Sequence, residues 1–288
     1  MFGKSFIAGS ALVVPAAAQA AGFRTQTFFD DFTSSATIDL ALTGNPGFNW
    51  YLTNAWPNAD QPSGGWTPFA GVSIATAANT DSASISVANS IMTKSTGIRN
   101  VNQGIHTAIA NGSTYRGRVF GGGVYCEIKF AMNPCSSGSD AVGSWPIYWF
   151  APISFLTGHA TLFTELDGFE LFSGGNTLAI HDWNTGVNPA TSSVNGNVTW
   201  NGGPADTGFH TYGTLWQTAT QGGGTGSITR YFDGVLQSAN TVTWTPGGAF
   251  SGMDGDQYHI ILDTGQGVSF AVDYVSMWQA SAADSVTQ

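Results

Sequence analysis

The chain has 288 residues, of which 9% are charged, with 38 glycines, 19 phenylalanines and a formal net charge of −10. Many aromatics with few charges exclude a disordered polymer and point to a globular all-β chain. Net acidity excludes nucleic acid as a partner, since that binding needs basic patches.

In chain order, the first segment reads as an address. Lys4 precedes an apolar run over 6–18, and Ala18-Gln19-Ala20 has the small residues of a cleavage site. The run is too short for a membrane span. The expectation is a signal peptide over residues 1–20 and a secreted protein, extracellular or periplasmic, with no membrane association. Residues 21–288 are enough for one large β domain with a full core.

No long amphipathic helical pattern follows. Short alternating runs at 84–87, 124–130, 147–150, 228–232 and 270–278 predict strands, separated by Gly, Pro, Asn and Ser. Asp233-Gly234 predicts a hairpin turn, and the glycine-rich stretch 220–226 a second connection. Residues 48–68 carry Trp50, Tyr51, Trp56 and Trp66 among Asn, Pro and Gly, which predicts a loop rich in aromatics. Such a loop either covers a sandwich edge or touches a ligand. The two cysteines, Cys126 and Cys135, are spaced for a disulfide in an exported protein. Trp216 and Trp278 read as core, and His210 as structural.

Two of the three glutamates fall in Glu165-Leu166-Asp167-Gly168-Phe169-Glu170. In a regular strand Glu165 and Asp167 share one face and Glu170 takes the other. A bulge adds one residue and returns Glu170 to the first face. Gly168 stands where a bulge would form, and glycine inside a strand often marks one. Three carboxyls on one patch cannot all ionise, so one proton affinity must rise. A carboxylate and a carboxylic acid roughly 5 Å apart are what retaining glycoside hydrolysis requires. Glu165 is then the nucleophile, Glu170 the general acid/base, and Asp167 the group that orients Glu165. The flanking Leu162, Phe163, Leu166, Phe169, Leu171 and Phe172 are apolar, which argues against a merely solvated acidic strand.

Trp145 and Trp149 share strand parity, as do His181 and Trp183 on the following strand. Indole rings form platforms for the apolar faces of sugars, and His181 can bond the central carboxylate or a hydroxyl. All four are candidate substrate contacts; core packing is the open alternative for each.

These blocks together resemble glycoside hydrolase family 16. Phe29-Asp30-Asp31-Phe32 is similar to its opening strand, and Gly123 through Lys129 to a second family strand. The segment Gly143 through Trp149 resembles the Trp-Pro stretch before the catalytic strand, and Glu165 through Glu170 the signature of the branch with a bulge. Phe209 through Trp216, Tyr231-Phe232-Asp233-Gly234 and Val272 through Gln279 complete the order. The departures are Gly168 in place of a bulky residue, Thr164 where Gly is common, and Ile147 for Ala.

The resemblance implies a β-sandwich jelly roll of the concanavalin A type, with a concave substrate cleft. It implies a retaining endo-β-glycanase, β-1,3-glucan being the first substrate to try, that needs no cofactor and acts as a monomer on a polysaccharide. Many relatives join their first and last strands through calcium, for which Asp31 and Asp273 are the matching acids. An agarase- or carrageenan-type galactanase and a transglycosylase remain open. Sulfated substrates usually need basic subsites, and this chain has only 8 Lys and Arg. A lectin-like jelly roll and an envelope protein are the readings without catalysis.

Overall fold

The computed structural model describes residues 13–54, 85–94, 103–132, 146–157, 162–172, 175–184, 191–195, 208–237, 241–264 and 270–288. Two sheets, antiparallel except for the parallel pairing of Ile38–Asp39 with Trp50–Asn54, pack face to face as a β-sandwich jelly roll. The first runs in the order Val235–Leu236, Gly226–Phe232, His210–Gln217, Val124–Met132, Phe270–Gln279, Ile91–Lys94, Ile85–Ala88. Thr25–Asp30 pairs with Phe270–Gln279. The second runs Thr191–Asn195, Gly175–Asn184, Leu162–Phe172, Pro146–Pro152, Tyr258–Thr264, Gln103–His106, Trp50–Asn54, Ile38–Asp39.

Period-two alternation makes each strand two-faced. Tyr212, Trp216 and Ile228 of the first sheet and Phe150, Leu166, Phe169 and Ile180 of the second enter one buried cluster. Phe130 stacks on Tyr212 at 4.1 Å between centroids and meets Phe169 edge-on at 5.3 Å. The acidic strand is thus anchored by its apolar face against the opposite sheet.

The five predicted strand runs lie in strands, save residue 84, which is outside the described residues. Asp233 (φ 48°) and Gly234 (φ 77°) have the left-handed backbone of a two-residue hairpin turn. The stretch 220–226 joins two paired strands. Trp216 and Trp278 are buried, and His210 Nδ1 lies 2.7 Å from Asp233 Oδ2 across the hairpin.

The aromatic loop needs correction. Trp50–Asn54 is a strand, and both Trp50 and Tyr51 are buried. Trp50 gives its indole N–H to Asp30 Oδ2 at 2.9 Å, which satisfies the polar edge of a core ring. Trp56 and Trp66 lie outside the described residues. Cys126 is a free thiol buried against the core, and Cys135 lies outside the described residues.

The segment expected to be a removable leader has structure from residue 13. Ala16–Ala20 forms a short helix, and Ala18 packs with Phe23, Tyr125, Leu215 and Trp278 on the outer face of the first sheet. No described helix is long and apolar enough to cross a membrane.

Candidate active site

The acidic motif lies on Leu162–Phe172, a strand interior to the second sheet. Its pairing with Gly175–Asn184 sets the geometry. Glu165 pairs with His181, Asp167 with Ala179, and Glu170 with Thr177. Three steps from Asp167 to Glu170 face two steps from Ala179 to Thr177, so the acidic strand carries one extra residue. Leu166 and Phe169 both enter the inter-sheet core, which confirms the change of phase between them. The backbone therefore gives Glu165, Asp167 and Glu170 same-face positions, as the bulge at Gly168 predicts. The side chain of Glu170 lies outside the described residues.

Gly168 is required sterically. A Cβ there would run into the ring of Tyr148 on the neighbouring strand. Tyr148 is fully buried and its hydroxyl meets Thr214 Oγ1 of the first sheet at 2.8 Å. The Tyr148 ring occupies the volume that a side chain at position 168 would take.

Glu165 and Asp167 are 5% and 2% exposed, so each needs fixed polar partners. Trp183 donates its indole N–H to Glu165 Oε2. His181 Nε2 lies 3.0 Å from Asp167 Oδ2. Both contacts are diagonal: His181 faces Glu165 in the pairing but bonds Asp167, and Trp183 faces Phe163 but bonds Glu165. The His181 and Trp183 rings stack at 5.5 Å, and Trp183 stacks on Phe163 at 6.4 Å. These stacks hold both donors in place.

The predicted ligand contacts separate. His181 and Trp183 are half-buried and touch the acids directly. Trp149 has the same face but is only 2% exposed, packed with Ala151, Phe155, Phe163 and Ile261. It lies beneath the site rather than presenting a ring to solvent. Trp145 lies outside the described residues. Thr164, where glycine is common in the resembling family, donates to Asp182 Oδ1 at 2.7 Å. Asp182 Oδ2 accepts from Phe250 N at 2.7 Å, tying the acidic strand to the turn over Ser251–Asp254.

The two acids named for calcium each have a protein partner. Asp31 Oδ1 accepts from Thr33 N at 3.2 Å, whereas Asp273 Oδ2 is held by the Lys129 ammonium at 3.0 Å. An ammonium already balances that carboxylate. No group of three or more His, Cys, Asp or Glu suited to a metal occurs among the described residues. The structural acid at this end is Asp30, which accepts from Phe32 N, Asn49 Nδ2 and Trp50 Nε1.

Sequence reasoning passed over Arg230. This side chain is 2% exposed and its Nη2 donates to the main-chain carbonyl of Asp167 at 3.1 Å. A signal existed, because Arg230 has the inward parity of Ile228 on an alternating strand.

No known family model and no curated protein matches the chain. Solved structures do. An endo-1,3-β-glucanase from Streptomyces sioyaensis superposes with a TM-score of 0.56 at 18% identity, covering 97% of this chain and 100% of that one. A family 16 endo-glucanase from Bacteroides ovatus gives 0.43 at 15% identity, over 87% of this chain and 99% of that one. A legume lectin-like domain from Entamoeba histolytica gives 0.42 at 7% identity, over 68% of this chain and 87% of that one. The first likeness establishes a shared fold; the other two are too loose to carry an argument.

Proposed function

We propose that the protein is a secreted, retaining endo-β-glycanase of the family 16 type, with β-1,3-glucan the first substrate to test. The observation that carries this reading is the one-residue bulge, which gives Glu165, Asp167 and Glu170 same-face positions on a single strand. Pure binding has no use for three acids on one face, and burying Glu165 and Asp167 without a role is costly.

In this mechanism Glu170 protonates the departing sugar oxygen while Glu165 attacks the anomeric carbon. Glu170 then takes a proton from water, and the hydroxide releases the sugar from Glu165 with net retention. Trp183 steadies Glu165 through its N–H, and favours the ionised form that attacks. His181 fixes Asp167, which in turn discourages ionisation of Glu170.

The test is release of reducing ends from laminarin, mixed-linkage β-glucan, agarose and κ-carrageenan by the wild type, Glu165→Gln and Glu170→Gln. The expected result is cleavage of one polymer, reduced about a thousand-fold or more in both variants. Proton NMR of the first product is expected to show the β-anomer. Inversion would sink the double displacement. Absence of cleavage, with glycan binding equal in all three proteins, would replace the enzyme by a lectin.

A further inference from the structure

Behind the acidic strand, between the sheets, lies Arg230, the only buried Lys or Arg among the described residues. Its Nη2 reaches the Asp167 carbonyl at 3.1 Å, while Nε and Nη1 are buried with no hydrogen-bond partner among the described residues. Burying a guanidinium with one neutral acceptor is costly. An apolar residue of similar volume would fit a core of Ile228, Phe130 and Phe169 better.

Among the described residues, the titratable groups facing Arg230 from the packed elements are Tyr148, Asp167 and Cys126. Burial pushes the Tyr148 phenol and the Cys126 thiol up, so both are neutral at neutral pH. Burial also pushes Arg230 down, to about 10, which still leaves it charged there. The charge that complements it is therefore acidic and lies on the strand in front: Asp167, which His181 also touches, with Glu165 and Glu170 on the same strand.

We propose that Arg230 is a positioning residue for the acidic strand, acting twice. Through the Asp167 carbonyl it holds the backbone at the bulge, where a strand ladder is locally broken. Through its charge it lowers the proton affinity of the carboxyls in front, so that Glu165 is ionised and Glu170 still protonated at a lower pH than the crowded acids alone would allow. This rests on the glycanase reading for its consequence, but not for its measurement.

Only three glutamates occur in the chain, so glutamate labelled with carbon-13 at the carboxyl gives three signals to titrate. Glu127, bound by Tyr125 and Tyr274 on the outer face of the first sheet, is an internal reference. Titrations of wild type, Arg230→Met and Arg230→Lys decide the matter. In Arg230→Met the Glu165 and Glu170 midpoints are expected to rise by about one pH unit. Glu127 is expected to stay, and Arg230→Lys to restore most of the shift. If Arg230→Met does not fold, Arg230→Gln keeps a donor without the charge and makes the same comparison.

On a cleaved glycan, the pH–rate profile of the neutral variant is expected to move upward as a whole, whereas a loss of stability alone would lower it without moving it. Unchanged midpoints in the neutral variant, or a lysine variant titrating like the neutral one, would overturn the proposal. Should the wild type cleave no glycan, the glycanase reading fails and the titration still decides the role of Arg230.

Discussion

The ring of Tyr148 fills the space that a side chain at Gly168 would need, so two residues on adjacent strands share one volume. Gly168→Leu is expected to destabilise the protein by about 3 kcal/mol or more, since overpacking a tight core forces side chains and backbone to shift. Gly168→Leu combined with Tyr148→Ala is expected to recover part of that loss. Urea unfolding of the two single variants and the double variant measures the coupling. Strict additivity would show that the two residues do not compete.

Trp183 tests the donor to Glu165 separately from ring packing. Trp183→Phe keeps an aromatic ring against His181 and Phe163 but loses the N–H. A hydrogen bond to a charged group contributes about 1.5–3 kcal/mol. The expected loss in kcat/KM is therefore roughly 10- to 100-fold, carried by kcat, with little change in Tm. A change confined to KM would make Trp183 a sugar contact instead.

His106 and His259 form a pH-dependent weak point. They are buried on adjacent strands with rings stacked at 5.5 Å. Burial lowers His259 to about 3 and, with the neighbouring His259, lowers His106 well below 6.5. Below pH 6.5 the unfolded chain takes up protons that the folded one refuses, so stability falls as pH falls. His259 alone costs about 2 kcal/mol between pH 6.5 and 4.5, and His106 adds to the loss in the same direction. Melting curves from pH 7 to 4.5 are expected to show a steep fall in Tm for the wild type and a shallower one for His259→Gln. Parallel slopes would rule the pair out as its source.

Asp30 joins the two sheets, because it sits on a strand of the first and accepts from Trp50 of the second. Asp30→Ala leaves that indole N–H, the Phe32 amide and the Asn49 amide without their acceptor. The expected cost is about 3–5 kcal/mol, read as a lower urea midpoint with an unchanged m-value. A shift below 1 kcal/mol would mean that water replaces the carboxylate.

What the sequence disclosed follows from how local each signal is. The hairpin at Asp233-Gly234 and the bulge at Gly168 were legible because backbone geometry restricts residue choice at single positions. The strand Trp50–Asn54 was not, since Pro46, Gly47 and Asn49 beside it carry the composition of a loop. The burial of Trp149 depends on Phe155 and Phe163, contributed by other elements, so parity gave its face but not its cover. The stacking of His106 on His259 is a product of strand order, which no local pattern encodes.

The extra residue also makes the acidic strand unusually sensitive to length. Removing Gly168 leaves every remaining side chain chemically intact, yet the strand beyond it loses its phase. Phe169 would turn away from Phe130 and Tyr212, and the Glu170 position would turn toward them. A three-nucleotide deletion there is a spatial frameshift.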